Sequence, residues 1–251
     1  MSRQWCFRHL KYGRKVECPY DCQLFCRVGI YKRDRGPGVL SSGSGFLPSS
    51  IAGLVQWQRK GVGIVGNPSV SNWPDQSGNG HDLVQASGPA QPQLQGDGSI
   101  LFDGIAQFLK AVGYTLNQPS TTFFYFKQVS WTLNSGLADG NGSFGGEVFQ
   151  SSVSPGIKCS APTTSAENDN FTVGAYHALT VVWNGASSFF IVDQNAATSW
   201  SCGANNLSGF TLGANGGGTT FGNIQAKECG AYNVALSQAQ ALQLNGYLVT
   251  V

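Results

Sequence analysis

The run Asn72-Trp73-Pro74-Asp75-Gln76-Ser77-Gly78-Asn79-Gly80-His81-Asp82-Leu83, answered by Leu101-Phe102-Asp103-Gly104, constrains this chain more than any other stretch. Trp73 and Leu83 are apolar anchors, and Pro74, Ser77, Gly78, Asn79 and Gly80 between them supply turn chemistry. The spacing predicts a strand end, a tight loop and the next strand. Short apolar runs recur along the chain between turn clusters, at Ser99 to Phe102, Thr122 to Phe126, Gly146 to Phe149, Phe171 to Val173, Leu179 to Trp183, Phe189 to Val192, Phe210 to Leu212 and Ile224 to Ala231. Runs of that length, rich in aromatic and β-branched residues, pack sheet on sheet, so the expected class is an all-β antiparallel sandwich. Thirty-four glycines, ten prolines and 11% charged residues fit that reading, because the loops draw their polarity from Ser, Thr, Asn and Gln.

One helix is predicted, at the C-terminus. Ser237 and Gln240 have capping-box spacing, and Ala241, Leu242, Leu244 and Leu248 form an apolar stripe. The stretch from Gly213 to Gly222 reads as a flexible loop and not as a phosphate cradle, since no Lys-Ser/Thr pair follows it. Composition changes abruptly near Gly36-Pro37-Gly38 and Ser41-Ser42-Gly43-Ser44-Gly45. Three parts follow: a basic, Cys-rich segment over 1–38, a Gly/Ser/Pro-rich linker over 39–51, and the sandwich over 52–251.

The net charge of +2 hides an asymmetry between these parts. Residues 1–38 carry nine bases, Arg3, Arg8, Lys11, Arg14, Lys15, Arg27, Lys32, Arg33 and Arg35, against Glu17, Asp21 and Asp34, a balance of +6. The remainder carries six bases and ten acids, a balance of −4. The N-terminus has no apolar stretch of signal-peptide type, and no segment is long and apolar enough to span a bilayer. The expectation is a product of a cytoplasm that carries no export signal of its own. Seven cysteines is an odd number, which argues against a complete disulfide framework.

Cys18, Cys22 and Cys26 are spaced by four, with Cys6 and His9 upstream. Four thiolates from Cys6, Cys18, Cys22 and Cys26 could hold zinc or an iron–sulfur cluster, although the spacing lacks the two-residue knuckle of zinc ribbons; structural thiols or a disulfide are the alternative. Either device would stabilise a segment too small for a core of its own. Trp5, Phe7, Tyr12, Tyr20, Phe25 and Tyr31 interleave with the bases there. Arg8, Lys11, Arg14, Lys15, Lys32, Arg33 and Arg35 therefore suit docking onto an acidic protein surface, with nucleic acid as the less favoured partner.

The residues from Trp73 to Leu83 and the Phe102-Asp103-Gly104 answer resemble the opening of concanavalin A-like lectin/glucanase jelly rolls of the laminin G-like and pentraxin-like kind. The likeness continues through Tyr176-His177-Ala178-Leu179-Thr180-Val181-Val182-Trp183-Asn184-Gly185, Ser188 to Asp193 and Ala226 to Ser237. It covers residues 52 to 249 and implies a two-sheet jelly roll with a short C-terminal helix. That fold serves lectins, glycosidases, adhesion modules and virion proteins, so function rests on the site. The glucanase pattern Glu-x-Asp-x-x-Glu is absent. After the linker the glutamates are Glu147, Glu167 and Glu228, with no close acidic pair on a strand-like run, and Ser165 to Asn170 reads as a loop. Neither carboxylate catalysis nor a nucleophile elbow is therefore expected. The resemblance also implies loop oxygens for calcium, from Asp75, Asn79, Asp82, Asp103, Asp139 or Asn141; the alternative is that these side chains bond their own loop backbone. Candidate contacts for a glycan or protein partner are Trp73, Asp75, Asn79, His81, Asp82, Trp131 and Trp200. The layout resembles phage virion components that attach by one end to a capsid or tail and present a sandwich outward. It implies a non-enzymatic adhesion protein, oligomeric within a virion, with a glycoside hydrolase or a free calcium-dependent lectin as alternatives.

Overall fold

The computed structural model describes residues 45–142, 145–162 and 164–251. The Cys-rich segment 1–38, with its proposed metal ligands Cys6, Cys18, Cys22 and Cys26 and its anchoring bases, lies outside them. In chain order the strands are β1 (Leu54–Gln58), β2 (Asn72–Trp73), β3 (Leu83–Val84), β4 (Gln93–Leu94), β5 (Ile100–Leu101), β6 (Leu109–Leu116), β7 (Ser120–Gln128), β8 (Gly136–Asp139) and β9 (Glu147–Gln150). Then come β10 (Ile157–Ser160), β11 (Ser165–Asn168), β12 (Tyr176–Trp183), β13 (Ser188–Val192), β14 (Thr198–Trp200), β15 (Leu207–Leu212) and β16 (Ile224–Tyr232), followed by the helix α1 (Gln238–Leu248).

They form two antiparallel sheets. Sheet A runs β14-β13-β12-β7-β16-β5-β4, with β1 added along β16, and sheet B runs β11-β10-β9-β8-β15-β6-β3-β2. The core between them holds Trp73, Phe102, Phe124, Phe126, Trp183, Phe190 and Phe210, all nearly or fully buried. Each such side chain contributes roughly 1.5–3 kcal/mol when removed from water. A second apolar layer lies on the other face of sheet A, where Phe123, Tyr125, Val182 and Tyr232 meet Leu244, Tyr247 and Leu248 of α1. This explains the unbroken run Thr121 to Phe126 in β7. Phe124 and Phe126 face sheet B while Phe123 and Tyr125 face the helix layer, so the strand is buried on both sides and shows no polar alternation.

The helix starts as its residues dictate. Ser237 Oγ accepts from the Gln240 backbone N–H at 3.2 Å, and Gln240 Oε1 accepts from the Ser237 N–H at 2.9 Å. The Leu101-Phe102-Asp103-Gly104 motif also has a physical account. Phe102 packs so closely on Gly213 that a Cβ there would lie 2.2 Å from its ring, and Gly213 and Gly104 both adopt left-handed backbone conformations. Asp103 Oδ1 accepts the N–H groups of Ile105, Ala106 and Gln107 and so closes the turn.

Three local expectations change. Ser165 to Asn168 is not loop but the edge strand β11, paired in register with β10. Phe171 to Val173 is not a strand, although Phe171 remains buried against Phe126 and His177. The Gly213–Gly222 loop is tied rather than slack: Ala214 bridges to Phe221, and Asn215 Oδ1 accepts from the backbone N–H groups of Thr219 and Thr220. No helix among the described residues is long and apolar enough to cross a membrane.

Candidate functional site

The loop between β2 and β3 is built around one carboxylate. Asp75 Oδ1 accepts from the backbone N–H groups of Trp57 and Ser77, both at 2.8 Å, and Oδ2 accepts from Ser77 Oγ at 2.7 Å and the His81 N–H at 3.1 Å. Asp82 accepts from the Asp75 N–H at 2.8 Å and from Asn72 Nδ2 at 3.0 Å. Asn79 donates to the Val55 carbonyl at 3.2 Å, and His81 Nδ1 meets the same carbonyl at 2.8 Å. The His81 ring lies flat on Tyr114 at 3.7 Å between centroids, and the Tyr114 hydroxyl is hydrogen-bonded to Gln56. The turn chemistry of the motif thus pins the loop to β1, with its side-chain oxygens turned onto backbone donors. The same use is made of Asp103 and Asp139.

Of the tryptophans named from sequence, Trp73 is corrected outright. It is fully buried and its indole N–H donates to the Arg59 carbonyl at 2.8 Å, so it has no face to offer a ligand. Trp200 is half-buried and packs edge-on against Trp183 and Phe190 at 5.8 and 5.5 Å. Trp131, also half-buried, donates to the Gly156 carbonyl at 3.3 Å. His177 is clamped between Asp193, 2.7 Å from Nδ1, and the Thr172 N–H, which donates to Nε2 at 2.9 Å. Cys159, Cys202 and Cys229 are unbridged and buried, and burial pushes the thiols of Cys159 and Cys229 up. Among the described residues no group of three or more His, Cys, Asp or Glu is gathered as a metal site.

The richest constellation lies on the outer face of sheet B. Register places Lys110 on β6 beside Thr211 on β15, and Thr211 beside Asp139 on β8. Next along is Glu147, at the start of β9. Asp139 is buried and fixes the surrounding loops, with Oδ1 accepting from the Gly140 and Gly145 N–H groups at 2.7 and 3.3 Å and Oδ2 from the Gly216 N–H at 2.9 Å. Lys110 Nζ donates to the Gly216 carbonyl at 2.7 Å and sits 5.2 Å from the centre of the Phe108 ring. Burial lowers the Lys110 ammonium's pKa, and the Asp139 charge partly restores it. Phe108 and Phe221, both half-buried, form a tilted pair at 6.2 Å, and Val84 and Val112 beside Lys110 are 43% and 57% exposed.

Glu147 differs from its neighbours. It is half-buried, and its side chain has no hydrogen-bond partner among the described residues. Burial, with the Asp139 charge added, pushes its carboxyl up to about 7. Glu167 is on the sheet edge, 3.8 Å from Lys158, and its carboxyl is held low by hydrogen bonds from serine side chains. Glu228 is sealed on the far side of the molecule. Sequence reasoning did not single out Phe108, Lys110, Tyr114 or Phe221. The one available signal was the alternation Leu109-Lys110-Ala111-Val112, which puts Lys110 and Val112 on the outer face of a strand.

No family model matches this chain, and no curated protein does either. Solved structures do. Trypanosoma rangeli sialidase in complex with sialic acid matches with a TM-score of 0.56 and 14% identity over 80% of this chain and 35% of its own. The HCR/D W1238A mutant matches with a TM-score of 0.58 and 8% identity over 78% and 51%. The binding domain of Paraclostridial Mosquitocidal Protein 1 matches with a TM-score of 0.55 and 12% identity over 77% and 52%. The chain spans about a third of the sialidase and about half of the other two. At these identities the likeness shows the β-sandwich fold.

Proposed function

We propose that the sandwich is a non-catalytic glycan-binding module of the concanavalin A-like type, and that the outer face of sheet B is its contact surface. The observation that carries this is the half-buried Phe108–Phe221 pair flanked by Lys110 beside a tied loop. Apolar ring faces next to fixed polar groups suit a sugar, which has both an apolar face and hydroxyls. The fold neighbours support it: one is a sialidase whose solved form holds sialic acid, and another is described as a binding domain. Residues 1–38 are the proposed tether to virion proteins, which makes the whole a display device in a larger assembly. Native mass spectrometry of the full chain, read for oligomer mass and bound zinc or iron, tests that half.

Hydrolysis by a carboxylate pair needs two carboxyls free to meet substrate. Both Asp139 oxygens are engaged by backbone N–H groups, which leaves Glu147 alone. One observation favours the alternative: a carboxyl raised to about 7 is what a general acid uses. A glycan array run with and without a chelator, repeated on Phe108→Ala and Glu147→Gln, separates the readings. The binding module predicts chelator-independent retention, at least a tenfold loss in Phe108→Ala, and no release of reducing ends. Release of reducing ends that disappears in Glu147→Gln would replace it with an enzyme.

A further inference from the structure

Residues 39–251 hold six bases against ten acids, yet Lys60, Lys127 and Lys227, half of those bases, converge on one part of sheet A. The outer face of this sheet is covered by α1 over Val182 and Tyr232, and at the margin of that layer Tyr125 and Tyr176 carry lysines. Register aligns Tyr176, Lys127 and Gln225 across β12, β7 and β16, and an irregularity between Ala226 and Glu228 brings Lys227 to the same face. Lys227 Nζ lies 4.4 Å from the Tyr176 ring centre and 5.2 Å from that of Tyr125, while Lys127 Nζ is 5.1 Å from Tyr176. Lys227 also donates to the Val251 carbonyl at 2.9 Å. Asp97 is nearby; its carboxylate accepts from the backbone N–H and hydroxyl of Ser99, and its charge is felt by Lys227 and Lys60. Burial lowers the pKa of the Lys227 ammonium, the Lys60 and Lys127 charges lower it further and the Asp97 charge partly restores it, so the face keeps an excess of positive charge. Such a focus of like charge in an acidic domain attracts an anion.

Next to it is a pocket of about 440 Å³ walled by Gly61, Gly63, Gly96 and Gly98, with Asn67 and Gln95 in the lining. The Lys60 side chain borders it, its Cγ 3.3 Å from where a Cβ on Gly98 would be. We propose that this is a second binding site, for an anionic polysaccharide whose carboxylate or sulfate groups meet Lys60, Lys127 and Lys227 while a neighbouring sugar ring enters the glycine-walled pocket. Gly61 and Gly98 bond through their own backbone groups, and the Asn67 and Gln95 amides in the lining match ring hydroxyls. Bases of a nucleic acid would need free aromatic faces, and the Tyr125 and Tyr176 faces are occupied by ammonium groups. An acidic peptide adding as a strand at the β4 end of sheet A would find an edge of two residues.

The test is direct binding of the full chain to polygalacturonate and to dextran sulfate, with neutral dextran, poly-glutamate and duplex DNA as comparison arms. Retention of either acidic polysaccharide, with the others at least tenfold weaker, is expected, and the better of the two names the anionic group. Lys127→Gln with Lys227→Gln should lower affinity at least tenfold, and the paired arginine replacements should keep it. Gly96→Trp should also lower it; a Cβ at Gly96 meets nothing within 4 Å and the backbone there is not left-handed, so this variant leaves the fold and the lysines in place. Phe108→Ala should leave this binding unchanged, which separates the site from the one on sheet B. Equal binding of poly-glutamate or DNA, full affinity in Gly96→Trp, or no binding of either acidic polysaccharide overturns the proposal.

Discussion

Glu228 and Glu147 sit on the outer faces of opposite sheets, and burial raises the pKa of both. The difference is in what surrounds them. Glu228 is 2% exposed under α1, where its carboxylate accepts from the Trp57 indole N–H at 2.9 Å and from the Tyr247 hydroxyl at 3.2 Å. Among the described residues no helix covers the face where Glu147 lies and its carboxyl has no donor, only the Asp139 charge beside it. A perturbed carboxyl with its lone pairs filled is part of the packing. One that no donor holds is available to a ligand or a proton. The ground under α1 on sheet A thus serves stability, while Glu147 on sheet B keeps a carboxyl that no donor holds.

The sharpest way to break that division is Glu228→Ala. It leaves the Trp57 and Tyr247 donors buried without an acceptor, and unfolding by urea should show a loss of about 2–4 kcal/mol. Glu228→Gln, which keeps an acceptor, should recover much of it. A loss of a few tenths in the alanine variant would make Glu228 as dispensable as a surface group and undo the contrast. A smaller effect is expected at the rim. Asp75→Ala removes the acceptor of four donors, three of them backbone N–H groups, and should cost roughly 1–3 kcal/mol by the same measurement. Glycan retention through Phe108 should persist in the folded variant; its loss would move the contact surface from the sheet to the rim.

Much of sheet A was legible because its signals are local. Thr122 to Phe126 and Leu179 to Trp183 are apolar runs that declare a strand buried on both faces, and Ser237 with Gln240 declares a helix start. Sheet B was read less well. β6 and β11 carry Lys, Gly, Ser, Glu and Asn on an open face, so their composition resembles loop, and the pairing that makes them strands is non-local. The site suffered for the same reason. Lys110, Asp139 and Gly216 are far apart in sequence and meet only through the β6-β15-β8 register. Trp73 carried two readings, apolar anchor and partner contact, and its burial keeps the first. A tryptophan in a polar loop suggests a sugar platform, but here the large ring anchors that loop to the core and the polar residues around it fold inward onto backbone donors.

Glu147→Gln is the mildest change and the one that bears most directly on the contrast. The Glu147 carboxyl titrates near 7 in the folded chain and near 4.5 when unfolded, so between these values the folded state binds more protons. Stability contributed by the neutral carboxyl is therefore full below the unfolded value and is lost as pH rises through about 7. Glutamine cannot ionise beside Asp139 and escapes that loss. The variant should match the parent near pH 4 and become more stable than it above pH 7, by on the order of 1 kcal/mol, a figure kept well below the full linkage value because the side chain is partly in water. Thermal melts of both proteins between pH 4 and pH 8 check this. A gap that widens with pH means the carboxyl is held on the open face against its own ionisation. A constant gap would mean that folding does not change the proton affinity of Glu147, and the contrast would fail.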